Sequence, residues 1–129
     1  MKILLDTNFL IWAAEGRVPG KSIPYFKDLQ NEFYFSAASI WEIAIKKQNF
    51  PDFQLELSML RAELLANDYQ EVSITTSHTV AVNNFPLIHK DPFDRILLAQ
   101  AKTEGMFFLT ANKILTRYDV PVFYCAGSR

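Results

Sequence analysis

The sequence predicts a three-layer α/β/α domain with a mainly parallel central sheet, and three observations carry that prediction. Five short apolar runs, Ile3–Leu5, Phe33–Phe35, Glu71–Ile74, Met106–Leu109 and Val122–Tyr124, are separated by stretches long enough for helices. No Asn-Gly or Asp-Gly pair joins any two of them, so hairpin turns are not signalled. Runs such as Ile3-Leu4-Leu5 are apolar at successive positions, which suits strands covered by helices on both faces.

The elements follow in order. After the first strand, Asp6 is a suitable cap for a helix opening at Thr7. Gly16 to Gly20, holding Pro19, reads as a loop before the second strand at Phe33-Tyr34-Phe35. From Ser36 to Lys47, Ala37, Ile40, Trp41 and Ala44 fall on one helical face, with Ser36 as the cap. A further helix is expected over Asp52 to Asn67 and a shorter one over Thr75 to Asn83, with the third strand between them. The stretch 52–84 reads as an insertion or hairpin within the domain. The clearest helix is Pro92 to Glu104, where Phe93, Ile96, Leu97 and Ala101 share a face. Asp91 supplies a cap, Pro92 the first helical residue and Gly105 the stop.

Composition bounds the function. A chain of 129 residues, 50% hydrophobic, is one domain's worth, residues 1–129, with enough interior to hold without disulfides. The lone Cys125 agrees. Thirteen basic against fourteen acidic side chains give a formal charge of −1, which excludes a polybasic tail but not a local basic patch. The start, Met1-Lys2-Ile3-Leu4-Leu5-Asp6, carries no export signal, and no run approaches the eighteen apolar residues of a membrane span, so a cytoplasmic protein with no membrane partner is expected.

In an open parallel sheet, ligands bind beyond the carboxyl ends of the strands. Asp6 follows the first strand directly, Thr110 and Asn112 follow the fourth, Asp91 and Asp94 open a helix, and Glu42 lies in the helix after the second strand. Carboxylates gathered at that edge repel one another unless a cation neutralises them, and an all-oxygen donor set favours Mg²⁺ or Mn²⁺. Each residue also has a plainer role: Asp6, Asp91, Thr110 and Asn112 as caps or first-turn residues, Glu42 as the partner of Lys46 four residues on, and Asp94 as a complement to the helix dipole. His78 and His89 form no recognisable zinc set with Cys125. No Gly-x-Ser-x-Gly elbow and no glycine-rich phosphate loop is present. The phenylalanines read as core. Lys46, Lys90, Arg95 and Lys113 lie beside the acids in sequence and are candidates to hold the phosphates of a polyanionic substrate.

Four blocks in order, Leu4-Leu5-Asp6-Thr7-Asn8, Ser36 to Lys46, His89-Lys90-Asp91-Pro92-Phe93-Asp94-Arg95 through Ala101, and Leu109-Thr110-Ala111-Asn112, resemble the PIN-domain ribonucleases. More narrowly, the chain resembles a VapC-type toxin of a bacterial toxin–antitoxin pair, over essentially its whole length. The resemblance implies a Mg²⁺- or Mn²⁺-dependent endoribonuclease in which Asp6, Glu42 and Asp94 match the family's three main acids. It places Asp91 within a subfamily Asp-Pro-Phe-Asp block. It also implies a homodimer and inhibition by a VapB-type antitoxin. The family's fourth acid falls on Asn112 here, with Thr110 in the usual hydroxyl position, a departure that weakens a second metal site more than the first. Two rival readings stand beside this one. One is a PIN-like module that binds RNA or protein without cutting, and the other is a phosphotransfer domain with Asp6 as nucleophile, which lacks the second acid and the lysine such a site needs.

Overall fold

The computed structural model describes residues 1–50 and 54–127. Its centre is a five-stranded sheet, all parallel, of strands β1 (Lys2–Leu5), β2 (Glu32–Ser36), β3 (Gln70–Val72), β4 (Phe107–Thr110) and β5 (Val122–Tyr124), in the order β3-β2-β1-β4-β5. The chain therefore builds outward from β1 to β2 and β3, then returns to the other side of β1 for β4 and β5. The order reverses between β1 and β4, where Leu5 stands opposite Leu109. Such a switch point leaves a crevice at the carboxyl ends of the strands, because the loops on its two sides depart in opposite directions.

Side chains alternate strictly along the strands and fill two separate cores. Ile3, Leu5, Phe33, Phe35 and Leu109 face one side, with Phe9 and Leu10 of helix α1 (Thr7–Ala14), Ile43 of α3 (Ala37–Asn49), and Leu60 and Leu64 of α4 (Leu57–Ala66). Leu4, Tyr34, Val72 and Phe108 face the other, with Leu97, Leu98 and Ala101 of α6 (Pro92–Glu104). The short α2 (Ile23–Lys27) precedes β2, and α5 (Thr76–Val82) packs on α6. This is the expected three-layer arrangement, with an apolar residue of the central strands on each side of the sheet. Among the described residues, no helix is long and apolar enough to cross a membrane.

Several expectations are corrected in detail. Helix α4 begins at Leu57, because the Glu56 carboxylate accepts from the amides of Ser58 and Met59 and caps the helix there. Residues 54–56 are not helical, and Asp52 and Phe53 of the expected span lie outside the described residues. The stretch 52–84 is no insertion: it supplies edge strand β3, with α4 on one face of the sheet and α5 on the α6 side. Strand β3 runs from Gln70 to Val72 and stops two residues short of Ile74. Strand β4 starts at Phe107, since the Met106 amide is spent closing α6 on the Ala101 carbonyl at 2.8 Å. No helix opens at Ala111; the turn that follows, Lys113–Arg117, is a 3-10 turn capped by Asn112.

Gly105 ends α6 in the left-handed region, at φ 68° and ψ 41°. A Cβ at this position would meet nothing within 4 Å, so a substitution is felt through the backbone alone. Gly105→Ala is expected to lower unfolding free energy by about 1 kcal/mol, with Gly105→Asn costing less, as read from urea denaturation.

Candidate active site

Asp6 is both a cap and a site residue. Its Oδ1 accepts from the Phe9 amide at 2.8 Å, which starts α1. Its Oδ2 accepts from Thr110 Oγ1 at 2.6 Å across the switch point and from the Ala111 amide at 3.4 Å. The residue is 4% exposed. Burial pushes its carboxyl up from the ordinary 3.8 to about 6, against the Thr110 and Phe9 hydrogen bonds, with the charge of Asp94 adding to the rise.

The other acids arrive on separate helices. Ser36 caps α3 by accepting from Ala38, and the helix carries Glu42 to a position where Thr7 Oγ1 donates to its Oε1 at 2.6 Å. Thr7 also lies 3.0 Å from Ser39 Oγ, one turn before Glu42 on the same helix. Asp91 caps α6, its Oδ1 accepting from the amides of Phe93 at 2.8 Å and Asp94 at 3.1 Å. Asp94 sits in the first turn and accepts from His89 Nε2 at 3.0 Å. Its carboxyl is raised from 3.8 to about 6, chiefly by burial and then by Asp91, with a smaller push from Glu42 and an opposing pull from His89.

These mutual influences tie the four acids into one electrostatic unit. Among the described residues, His89, Asp91 and Asp94 each bring one ligand atom within 4.8 Å of the others. The donors are overwhelmingly carboxylate oxygens under mutual repulsion, and that chemistry fits a hard divalent cation better than any other resident group. Asp6, Glu42, Asp94 and Asp91 are the carboxylates that could hold such an ion. Thr110 stands at the end of β4, fully buried, donating to Asp6 and accepting from the Asn112 amide at 3.0 Å. The Asn112 side-chain oxygen is turned to the Ile114 amide at 3.4 Å, where it caps the 3-10 turn.

The four basic candidates differ. Lys46 lines a groove with Glu42, Ile45, Asn49, Phe50, Asp91, Pro92 and Phe93, which runs from the acids along α3. Trp41, 59% exposed, meets Phe93 edge-on at 5.1 Å beside it. Lys90 and Lys113 are exposed. Arg95 points elsewhere: its guanidinium donates to the carbonyls of Val82, Phe85, Pro86 and His89 and to the Tyr118 hydroxyl. Sequence reasoning missed Thr7, Ser39, His89 and Tyr118. Ser39 carried a usable signal, lying three residues before Glu42 on one helical face, and Thr7 adjoins Asp6. His89 opens the sequence block that contains Asp91 and Asp94, whereas nothing local marks Tyr118.

The sign of the pH dependence follows from the raised carboxyls. In the unfolded chain Asp6 and Asp94 ionise near 3.8, whereas the fold holds both protons up to about 6. Their contribution to metal-free stability is therefore full below the lower value, falls as pH rises through this window, and stays low above it. In chelator at pH 7.5, Asp94→Asn is expected to raise the thermal midpoint by about 3–6 °C and to flatten the slope of stability between pH 4 and 6. An unchanged midpoint and slope in a calorimetric pH series would contradict this origin of the shifts.

Comparison with known proteins agrees with this architecture. The PIN domain model matches residues 3–121. The chain is similar to VapBC2 of Rickettsia felis, solved bound to a DNA fragment from its promoter, at TM-score 0.72 and 13% identity, covering 97% of this chain and 99% of that one. It is similar to a toxin–antitoxin complex from Klebsiella pneumoniae at TM-score 0.62 and 20% identity, covering 94% and 95%. DNA-bound VapBC of Salmonella typhimurium is similar at TM-score 0.68 and 14% identity, covering 96% and 98%. The sequence matches no curated protein. With the family model spanning all but two residues at the start and eight at the end, the chain belongs to the PIN domain family.

Proposed function

We propose that this protein is a divalent-metal-dependent endoribonuclease and the toxin of a VapC-type toxin–antitoxin pair. The observation that carries the reading is the convergence of Asp6, Glu42 and Asp94, from three separate elements, on one electrostatic unit at the switch point. The structural resemblance to toxin–antitoxin complexes supports the assignment of a VapB-type antitoxin as partner; a homodimer as the working form is what the sequence resemblance implies. When bound, Mg²⁺ or Mn²⁺ neutralises phosphodiester charge and makes water easier to deprotonate.

The residues divide the work. Asp6 and Asp94 are the main ligands, with Asp91 beside them. Glu42 keeps Oε1 on Thr7, so its other oxygen is the one to accept a proton from the attacking water. The water oxygen then bonds to phosphorus as the bond from phosphorus to one ester oxygen breaks, and that oxygen takes up a proton from solvent. Thr110 holds the Asp6 carboxylate in place throughout. Lys46, Lys90 and Lys113 hold the flanking phosphates. Arg95 is reassigned from phosphate binding to holding the 82–89 loop, because its donors already serve that loop's carbonyls.

Purified, antitoxin-free protein is expected to cut total cellular RNA into discrete products with Mg²⁺ or Mn²⁺. EDTA should stop it, and Asp94→Asn should lower the rate at least about a hundredfold. Folded wild-type protein that cuts nothing under either metal would favour a PIN-like module that binds without cleaving. Asn112 favours a single resident cation, since its oxygen is engaged as a cap. Asn112→Ala is accordingly expected to keep cleavage within a few-fold while costing about 1 kcal/mol of stability. Asn112→Asp should add a weaker second Mn²⁺ step in titration calorimetry.

A further inference from the structure

Outside the four acids, one chain of contacts leads from the site to the far side of α6. His89 lies just before that helix, partly buried, and its Nε2 reaches Asp94 Oδ2 at 3.0 Å. A carboxylate only accepts, so this nitrogen is the protonated one. The backbone of His89 is gripped on both sides. Its amide donates to the Tyr118 hydroxyl at 2.8 Å, and the same hydroxyl donates back to its carbonyl at 3.3 Å. Arg95 reaches that carbonyl at 3.4 Å and the Tyr118 oxygen at 3.2 Å. The hydroxyl of Tyr118, a buried residue, thus has its one proton and both lone pairs in use. Few loop residues need fixing in this way. The loop 83–91 has no regular structure, and without these contacts the imidazole would be free to swing.

We propose that His89 is a positioning residue for Asp94: by occupying Oδ2 it fixes the carboxylate and leaves Oδ1, which accepts from nothing among the described residues, for the cation. The inference rests on the metal-dependent reading above. It gives Tyr118 and Arg95 a part at one further remove, as the groups that hold His89. Hydrogen bonding of this kind orients a ligand and sets its basicity, and its loss commonly weakens metal binding by about 10- to 100-fold. Among the described residues, His89 is the only hydrogen-bond donor to the Asp94 carboxylate.

The test compares His89→Gln with His89→Asn, using Mn²⁺ alone as the probe in titration calorimetry on chelator-stripped protein. A glutamine amide reaches about as far as Nε2, whereas an asparagine amide mimics only Nδ1. His89→Gln is expected to bind Mn²⁺ within about threefold of wild type, and His89→Asn about 10- to 100-fold more weakly. Thermal midpoints in EDTA show whether both variants fold, and the glutamine variant serves as the rescue that loss of packing would not give. Equal affinities in the two variants, whether both normal or both weakened, would overturn the positioning role while leaving the metal site intact. Folded wild-type protein that binds no Mn²⁺ would overturn the nuclease reading and this inference with it.

Discussion

The 2.6 Å hydrogen bond from Thr110 to Asp6 is the constraint on which the rest of the site depends. It joins residues 104 positions apart, at the carboxyl ends of the two strands between which the sheet reverses its order. The Asp6 amide donates to Leu109 O at 3.0 Å, so the ladder and the side-chain bond fix the same register. A carboxylate buried this far must be hydrogen-bonded, since an unsatisfied buried acceptor costs about 1–3 kcal/mol and a charged one more. Thr110 meets that need and passes the constraint on: accepting the Asn112 amide, it sets the direction in which the chain leaves β4.

A common pattern extends from this bond to the other acids. Asp91 is anchored through Oδ1 by two amides, Glu42 through Oε1 by Thr7, and Asp94 through Oδ2 by His89. Each of the three keeps its second oxygen without a hydrogen-bond donor among the described residues, and each anchor comes from a different kind of group: helix amides, a hydroxyl and an imidazole. Four flexible carboxylates would relax apart under their mutual repulsion. With Asp6 tied at both oxygens and the other three at one each, they hold still, and burial together with the repulsion appears as raised proton affinity at Asp6 and Asp94.

The fold was legible because each of its signals is local. Strand runs, the Asp91-Pro92 opening of α6 and the Gly105 stop are read within a few residues, and they place Asp6, Asp94 and Thr110 at one edge once the strands are parallel. The α4 boundary was not legible, since a glutamate cap is a weak signal and the apolar spacing continues upstream of Glu56. Arg95 illustrates the larger gap. Beside Asp94 in sequence it reads as a phosphate ligand, yet its partners come from residues 82–89 and from Tyr118, which no spacing rule connects to it. His89 has no zinc partner in the sequence, whereas in the fold its partner is the Asp94 carboxylate five residues on.

Adjacent positions on a helix point about 100° apart, and the first turn of α6 turns that fact to use. Asp94 faces the acids, while Arg95, one residue on, faces the loop that carries His89. The helix that presents the Asp94 carboxylate therefore also fastens the segment whose His89 donates to it. Loop and carboxylate share one rigid support, so a shift of α6 moves Asp94, Arg95 and His89 together and leaves their relative geometry intact. The packing beneath supplies that rigidity: Leu97, Leu98 and Ala101 of the same helix are fully buried against the sheet. Precision at the acids is thus inherited from the apolar core, through a helix that carries the Asp94 carboxylate on one side and the loop's anchor on another.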